Sequence, residues 1–447
     1  MKIVRYNDGE FAQRLRDLSA PSSLFDPLIE ERTRTILNDV RERQDASLVE
    51  LTEKFDGAKL AVDRLAVTQA EFVAASIKAD DSLRAAVAEA EKNIVHFAKK
   101  SLRKGWRTRN SHGASVGEKF DAFERVGIYI PGGTAPLVST ALMTIPLAKA
   151  AGCREIVVCT PCGRDGSINP ALLFAARSAG ATEVYRLGGA QAIAAMAFGP
   201  PTVRRVQKIF GPGNAYVVTA KRLVVGYVAI DLLPGPSELL VIADETANAK
   251  FIAADLLAQS EHGSGHERVW LVTTSGKLLR AVAKELTRQL ASLPRHDFIQ
   301  RSLENAWLIQ VGSMDQAIEL ANSLAPEHCE VMTRAARKIS ENIFTAGAIF
   351  IGPWSPTVLG DYVAGPSHCL PTNTTGRFSS GISVYEFLKR SSVAKYSAEG
   401  LAKDADAIIT LAKSEGLDGH AASISVRATP GNNSSEDERL LDNVRPL

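Results

Sequence analysis

Apolar positions fall into two textures along the chain. Over the first hundred residues they recur three and four apart, from Asp26 to Glu42, Ala46 to Phe55 and Asp80 to Lys100, the spacing of helices with one buried face. Lys2 to Tyr6 predicts an edge strand, and Tyr6-Asn7-Asp8 a cap for a short leading helix. From Arg125 short β-branched runs alternate with Ala-rich helical stretches. Strands are predicted at Val126 to Ile130, Glu155 to Cys159, Glu183 to Leu187 and Val206 to Phe210, each followed by a helix. A second series runs Leu239 to Ala243, Val269 to Thr273, Trp307 to Val311, Glu330 to Met332 and Ala348 to Ile351. Such alternation predicts parallel sheets in an α/β protein, and two series predict two sheets. From about Ser383 the pattern is helical again, in Tyr385 to Lys389 and Ala398 to Glu415, and the polar last twenty residues read as a mobile tail.

With 447 residues, 45% of them hydrophobic and 23% charged, the chain has the composition of a soluble globular protein of about three folding units. Its net charge of +2 argues against attachment to nucleic acid or anionic lipid by bulk charge. No apolar run approaches the roughly 20 residues of a membrane span. The segment Met1-Lys2-Ile3-Val4-Arg5 meets charge too soon for a signal-peptide core. Five cysteines fit a reducing compartment better than a disulfide framework. A cytoplasmic enzyme or binding protein is expected.

Three glycine turns follow predicted strands: Pro131-Gly132-Gly133, Leu187-Gly188-Gly189 and Gly211-Pro212-Gly213-Asn214. Turns at the carboxyl ends of parallel strands line the crevice where open α/β sheets bind ligands, or they merely reverse the chain. The third has the first two glycines of a dinucleotide fingerprint but Tyr216 at the third site, so the Rossmann mode is incomplete.

Among eight histidines, two lie in informative settings. Gln259 and His262 are three apart at a predicted helix end closed by Gly263; they are either metal donors or a polar pair facing solvent. Glu327 and His328 follow Pro326, which favours extended geometry at Ala325, and leave a fixed turn for the start of a strand. Two proton carriers there suit stepwise acid–base chemistry, although an exposed charged turn reads the same way. Asp361 and His368 share a Gly-Pro loop, and Glu415 and His420 another. Asp, two His and Gln would form a mixed N/O site for zinc, manganese or cobalt. Cys159-Thr160-Pro161-Cys162 ends a strand instead of starting a helix, and buried thiols are expected there.

Together these segments resemble the histidinol dehydrogenase family, from roughly Arg32 to Val426. The resemblance is carried by Arg125 to Gly133, Gly211-Pro212-Gly213-Asn214, Gly235-Pro236-Ser237-Glu238, Gln259-Ser260-Glu261-His262-Gly263, Ala325-Pro326-Glu327-His328 and Gly360-Asp361-Tyr362. His368-Cys369-Leu370-Pro371-Thr372 and Glu415 to Ala421 complete it. Ser367 stands where the family usually has Asn.

The resemblance implies an NAD-dependent oxidation of L-histidinol to L-histidine through the bound aldehyde, in the last steps of histidine biosynthesis. It implies one zinc ion held by Gln259, His262, Asp361 and His420, and Glu327 and His328 as the acid–base pair. Ser237, His368 and Glu415 would contact substrate, together with His328 and the zinc ligands, while Tyr129, Gln191 and Asn214 would touch NAD. The family's homodimers place the C-terminal segment in the partner's active site. The implied organisation is an N-terminal arm (1–24) and an α/β domain (25–125 with 237–382), helical at its start. A Rossmann-like NAD domain (126–236), a helical dimerisation arm (383–427) and a tail (428–447) follow. Other readings are a dehydrogenase of another small alcohol, such as a sulfonated diol, or a zinc hydrolase using Glu327 on water.

Overall fold

A computed structural model describes residues 1–9, 11–16, 18, 25–132, 136–262 and 264–428. The tail beyond Ala428, and the turn residues Gly133 and Gly263, lie outside the described residues. Two compact units divide the chain: Met1–Leu102 with Ala122–Phe387, and Arg103–Asp121 with Leu388–Leu447.

The first unit holds two parallel sheets. One has β4 (Arg125–Tyr129), β5 (Glu155–Thr160), β6 (Glu183–Arg186), β7 (Lys208–Phe210) and β8 (Ala229–Ile230), in the order β6-β5-β4-β7-β8. The other has β9 (Glu238–Ala243), β10 (Arg268–Thr273), β11 (Trp307–Gln310), β12 (His328–Met332) and β13 (Ala348–Ile351), with β1 (Lys2–Arg5) on its edge. Its order is β1-β11-β10-β9-β12-β13, again parallel throughout. Counted from β4 and from β9, both sheets run 3-2-1-4-5, the order of a doubly wound fold with a switch point beside the first strand. The expected α/β class with two Rossmann-like sheets is present.

Alternation along each strand sends side chains to opposite faces. Val126 and Ile128 of β4 pack with helices Asp81–Ser101, Val138–Ala151 and Pro170–Ala179. Tyr129 and, on β5, Val157 and Cys159 pack on the other face with helices Gly189–Phe198, Pro27–Arg43 and Asp45–Asp56. The early amphipathic helices thus cover the five-stranded sheet. Between Leu187 and Pro200 nearly every residue is buried, which explains the run of small side chains there.

The second unit departs from an all-helical reading. Trp106–Arg109 (β2), Ser115–Ala122 (β3) and Leu388–Lys395 (β14) form a three-stranded sheet in the order β14-β3-β2. Only Val384–Phe387 is helical in the stretch from Tyr385 to Lys389, as a single 3-10 turn. Helices Ala398–Ser414 and Asp418–Ala428 follow. His420 sits inside the second helix, where a loop was expected. Among the described residues no helix is long and apolar enough to cross a membrane.

The turn after β7 is held by charge. Gly211 has φ +110°, and a Cβ there would lie 2.1 Å from the Tyr129 carbonyl oxygen, so only glycine fits. Lys221 Nζ donates to the Gly211 carbonyl (2.8 Å), and Asp231 Oδ2 accepts from the Gly211 amide (2.8 Å). Lys221 and Asp231 also pair with each other, both fully buried. Removing one partner strands the other charge. Asp231→Ala is expected to lower stability by about 3–5 kcal/mol, read from the urea midpoint.

Candidate active site

The amino ends of β9 and β12 meet in a buried polar cluster. Glu238, the first residue of β9, accepts at Oε2 from the Glu327 amide (3.3 Å), while its own amide donates to Glu327 Oε2 (2.8 Å). Its carbonyl accepts from His328 Nδ1 (2.9 Å), and Oε1 accepts from the Asn373 amide (3.2 Å). Arg268 lies 3.6 Å from Glu238 Oε1. His328 Nδ1 is 3.5 Å from Glu327 Oε2, so adjacent residues converge where the strand begins. The geometry before them differs from expectation: Ala325 is left-handed (φ 46°, ψ 60°), because it caps helix Met314–Leu324. The capping geometry overrides the preference of a residue preceding proline.

Burial drives the titration here. It raises Glu327 well above an ordinary glutamate, against the hydrogen bond from the Glu238 amide and with the charges of Glu238 and Asp361 adding to the rise. Desolvation lowers His328 despite Asp361 nearby, so its imidazole is neutral near pH 7. A neutral ring that donates from Nδ1 to a carbonyl keeps Nε2 as an acceptor, the tautomer of a general base. Glu238 itself is pushed up to about 7, by burial against the opposing Arg268.

Asp361, His368 and His262 act electrostatically on this pair, and Gln259 lies three residues before His262. Helix Ala249–Ser260 ends before His262, so His262 lies on the turn beyond it and the expected shared helical face is broken. Gln259 is nonetheless 3% exposed, and among the described residues its Nε2 has no hydrogen-bond partner. A solvent-facing pair would not bury the amide. His262 is accessible yet desolvated, which lowers its pKa even though Asp361 pulls the other way. Burial raises Asp361, but His368, His328 and His262 outweigh it and hold the carboxylate below its usual range. His368 Nδ1 stands 3.5 Å from Asp361 Oδ1. Desolvation opposes the charge on His368, but Asp361 and Cys369 raise it to about 10.

The amide oxygen of buried Gln259, a neutral imidazole and an ionised carboxylate fit the mixed N/O donors that zinc takes, one short of four. Among the described residues no group of three or more His, Cys, Asp or Glu side chains is placed to hold a metal ion. His420 and Glu415 are exposed in the second unit. Ser237 precedes β9, and its carbonyl accepts from the Arg268 amide (3.0 Å).

The chain matches the histidinol dehydrogenase family model over residues 22–428. It belongs to the histidinol dehydrogenase family, a family of oxidoreductases. Histidinol dehydrogenase from Geobacillus kaustophilus is 47% identical across 96% of this chain and 100% of its own length. That of Heliobacterium mobile is 45% identical across 91% and 95%. The crystal structure of histidinol dehydrogenase from Elizabethkingia anophelis has a TM-score of 0.89 at 35% identity, covering 96% of this chain and 98% of that one.

The cofactor candidates of this family member lie at carboxyl ends of the five-stranded sheet. Tyr129 ends β4, and its hydroxyl accepts from the Gly189 amide (3.1 Å). Gln191, 1% exposed, has no hydrogen-bond partner at either amide atom among the described residues. Asn214 caps helix Ala215–Leu223, accepting from the amides of Tyr216 and Val217 (both 3.1 Å). The glycine turns are not all on neighbouring strands, since β5 separates β6 from β4. Pro161 after β5 bridges them: a Cβ on Gly132 or Gly188 would meet it at 2.5 or 2.8 Å. Cys153, Cys159 and Cys162 are free thiols raised by burial, as expected of packing residues. Ser367 Oγ donates to the Met143 carbonyl (2.9 Å) and accepts from the Cys369 amide (3.3 Å), which fixes the loop before His368.

Glu238 is the functional residue that sequence reasoning passed over. A lone acid opening the strand Glu-Leu-Leu-Val-Ile-Ala was the available signal. Because its folded pKa is raised, the protonated form is favoured on folding, and stability is lost as pH climbs from the unfolded value near 4.5 towards 7. Wild-type stability relative to Glu238→Gln should therefore fall by roughly 3 kcal/mol over that interval, measured by urea unfolding at each pH.

Proposed function

We propose that this chain oxidises L-histidinol to L-histidine with two NAD, through a bound aldehyde, as a zinc-dependent enzyme of histidine biosynthesis. The observation that carries this reading is the buried Glu327–His328 pair, with Nε2 of His328 free to accept, facing His262 and Asp361. Family membership supplies the substrate class.

Gln259, His262 and Asp361 would hold zinc with His420 contributed by a second copy, so the arm 383–427 would serve dimerisation. Bound there, zinc supplies a template that orients the amine and imidazole of the substrate. Tyr129, Gln191 and Asn214 in segment 126–236 would hold NAD, which would supply the hydride acceptor. His328 Nε2 takes the alcohol proton as hydride leaves carbon. Glu327, a stronger base for its raised pKa, then draws a proton from water to form the aldehyde hydrate. The proton held on His328 passes to the former aldehyde oxygen as the hydrate forms, so His328 can take a hydroxyl proton again in the second oxidation. Ser237, His368 and Glu415 contact the substrate, and the retained aldehyde is kept from side reactions. The enzyme works in the cytoplasm.

Counting NADH formed per histidinol consumed tests the reading: two supports it, one indicates a plain alcohol dehydrogenase, and none refutes it. His328→Asn should slow both half-reactions by about 10²–10⁴-fold. Glu327→Gln should spare the alcohol step and slow aldehyde oxidation, each step assayed with its own substrate. Equal loss in both half-reactions would contradict the water-activating role. Chelation should abolish turnover while the circular dichroism of the fold persists.

A further inference from the structure

Beneath the candidate site lies a second layer of polar side chains drawn from the same three elements. Helix Ala249–Ser260 carries Gln259 and, one turn earlier on that face, Asp255. Strand β12 carries His328 and, two residues on and on the same face, Glu330. Helix Val358–Tyr362 carries Asp361, with Thr357 at its N-cap. Asp255, Glu330 and Thr357 are all buried. Thr357 donates to Glu330 Oε1 through its hydroxyl (2.5 Å) and its amide (2.7 Å). Among the described residues Glu330 Oε2 has no nitrogen or hydroxyl donor, and the Asp255 carboxyl is hydrogen-bonded to Glu330. Gly360 crosses the Phe350 ring of β13, where a Cβ would lie 2.7 Å from Cζ, so this helix is already seated closely on the sheet.

We propose that Asp255, Glu330 and Thr357 form a clamp in which a proton shared by the two carboxyls sets the spacing of Gln259 and Asp361 around the metal. Two buried carboxyls in contact cannot both ionise, and one must donate to the other. Glu330 already accepts twice from Thr357, so Asp255 is the donor. Burial and the neighbouring Glu330 push Asp255 up to about 8, in keeping with that assignment. The three residues are positioning residues. They act through the backbone of the elements that carry the donors, as outer hydrogen bonds do in metal sites.

The clamp rests on the zinc reading above, and its test separates the two. Zinc affinity of the full-length protein is measured by competition with a chromophoric chelator. Metal-free amide exchange is followed over residues 257–262 and 358–362. Asp255→Ala should weaken zinc binding about 10–100-fold and speed exchange in both segments. Asp255→Asn, whose amide still donates to Glu330, should restore both readouts. Thr357→Val should move both readouts the same way by less. Wild-type behaviour in Asp255→Ala, or an Asp255→Asn as weak as Asp255→Ala, overturns the clamp. Should Asp255→Ala not fold, Asp255→Asn at wild-type affinity with a loss in Thr357→Val supports it, and any other result overturns it. A wild-type chain that takes up no zinc defeats the zinc reading, and the exchange comparison still decides the clamp.

Discussion

The candidate site depends on the reciprocal pair of hydrogen bonds between Glu238 and Glu327 at the start of β9 and β12. Each glutamate accepts from the other's backbone amide, and the Glu238 carbonyl takes the Nδ1 proton of His328. One residue therefore fixes the position of an acid and the tautomer of a base. The arrangement buries carboxyl groups in a place where ionisation is costly, which raises the pKa of each.

Charge is distributed around that pair with a clear division. Glu238 and Glu327 are shifted upward by burial, while Asp361 is held ionised chiefly by its hydrogen bond with His368. Among the histidines, His328 and His262 are kept neutral and His368 is kept charged. Environments that push like groups apart assign their roles, with neutral rings able to accept or ligate and a cation balancing Asp361. In the five-stranded sheet, the glycine turn after β7 is tied down by the Lys221–Asp231 pair.

Much of this was legible in the chain. β4 to β7 and β9 to β13 were visible because buried parallel strands are continuous apolar runs, and the motifs around Glu327, Asp361 and Gln259 pointed to the candidate residues. Strand Trp106–Arg109 was not legible, since all four of its residues are exposed and their polarity hides the period of two. Leu388–Lys395 is half polar for the same reason. The role of Glu238 lies in its main chain, and backbone contacts leave no trace in residue type. Asp255 and Glu330 were passed over because each stands alone in an apolar run. Their meaning comes from being brought together by the fold.

The account's central claim is that Gln259, His262 and Asp361 gather as donors beside the Glu327–His328 pair. Anomalous diffraction at the zinc edge from zinc-loaded crystals tests it most directly. The account predicts one peak per chain, bonded to Gln259, His262 and Asp361 and closed by His420 from another copy. A peak bound by His368 and Cys369 with none of those three, or no peak at this recess, would contradict it.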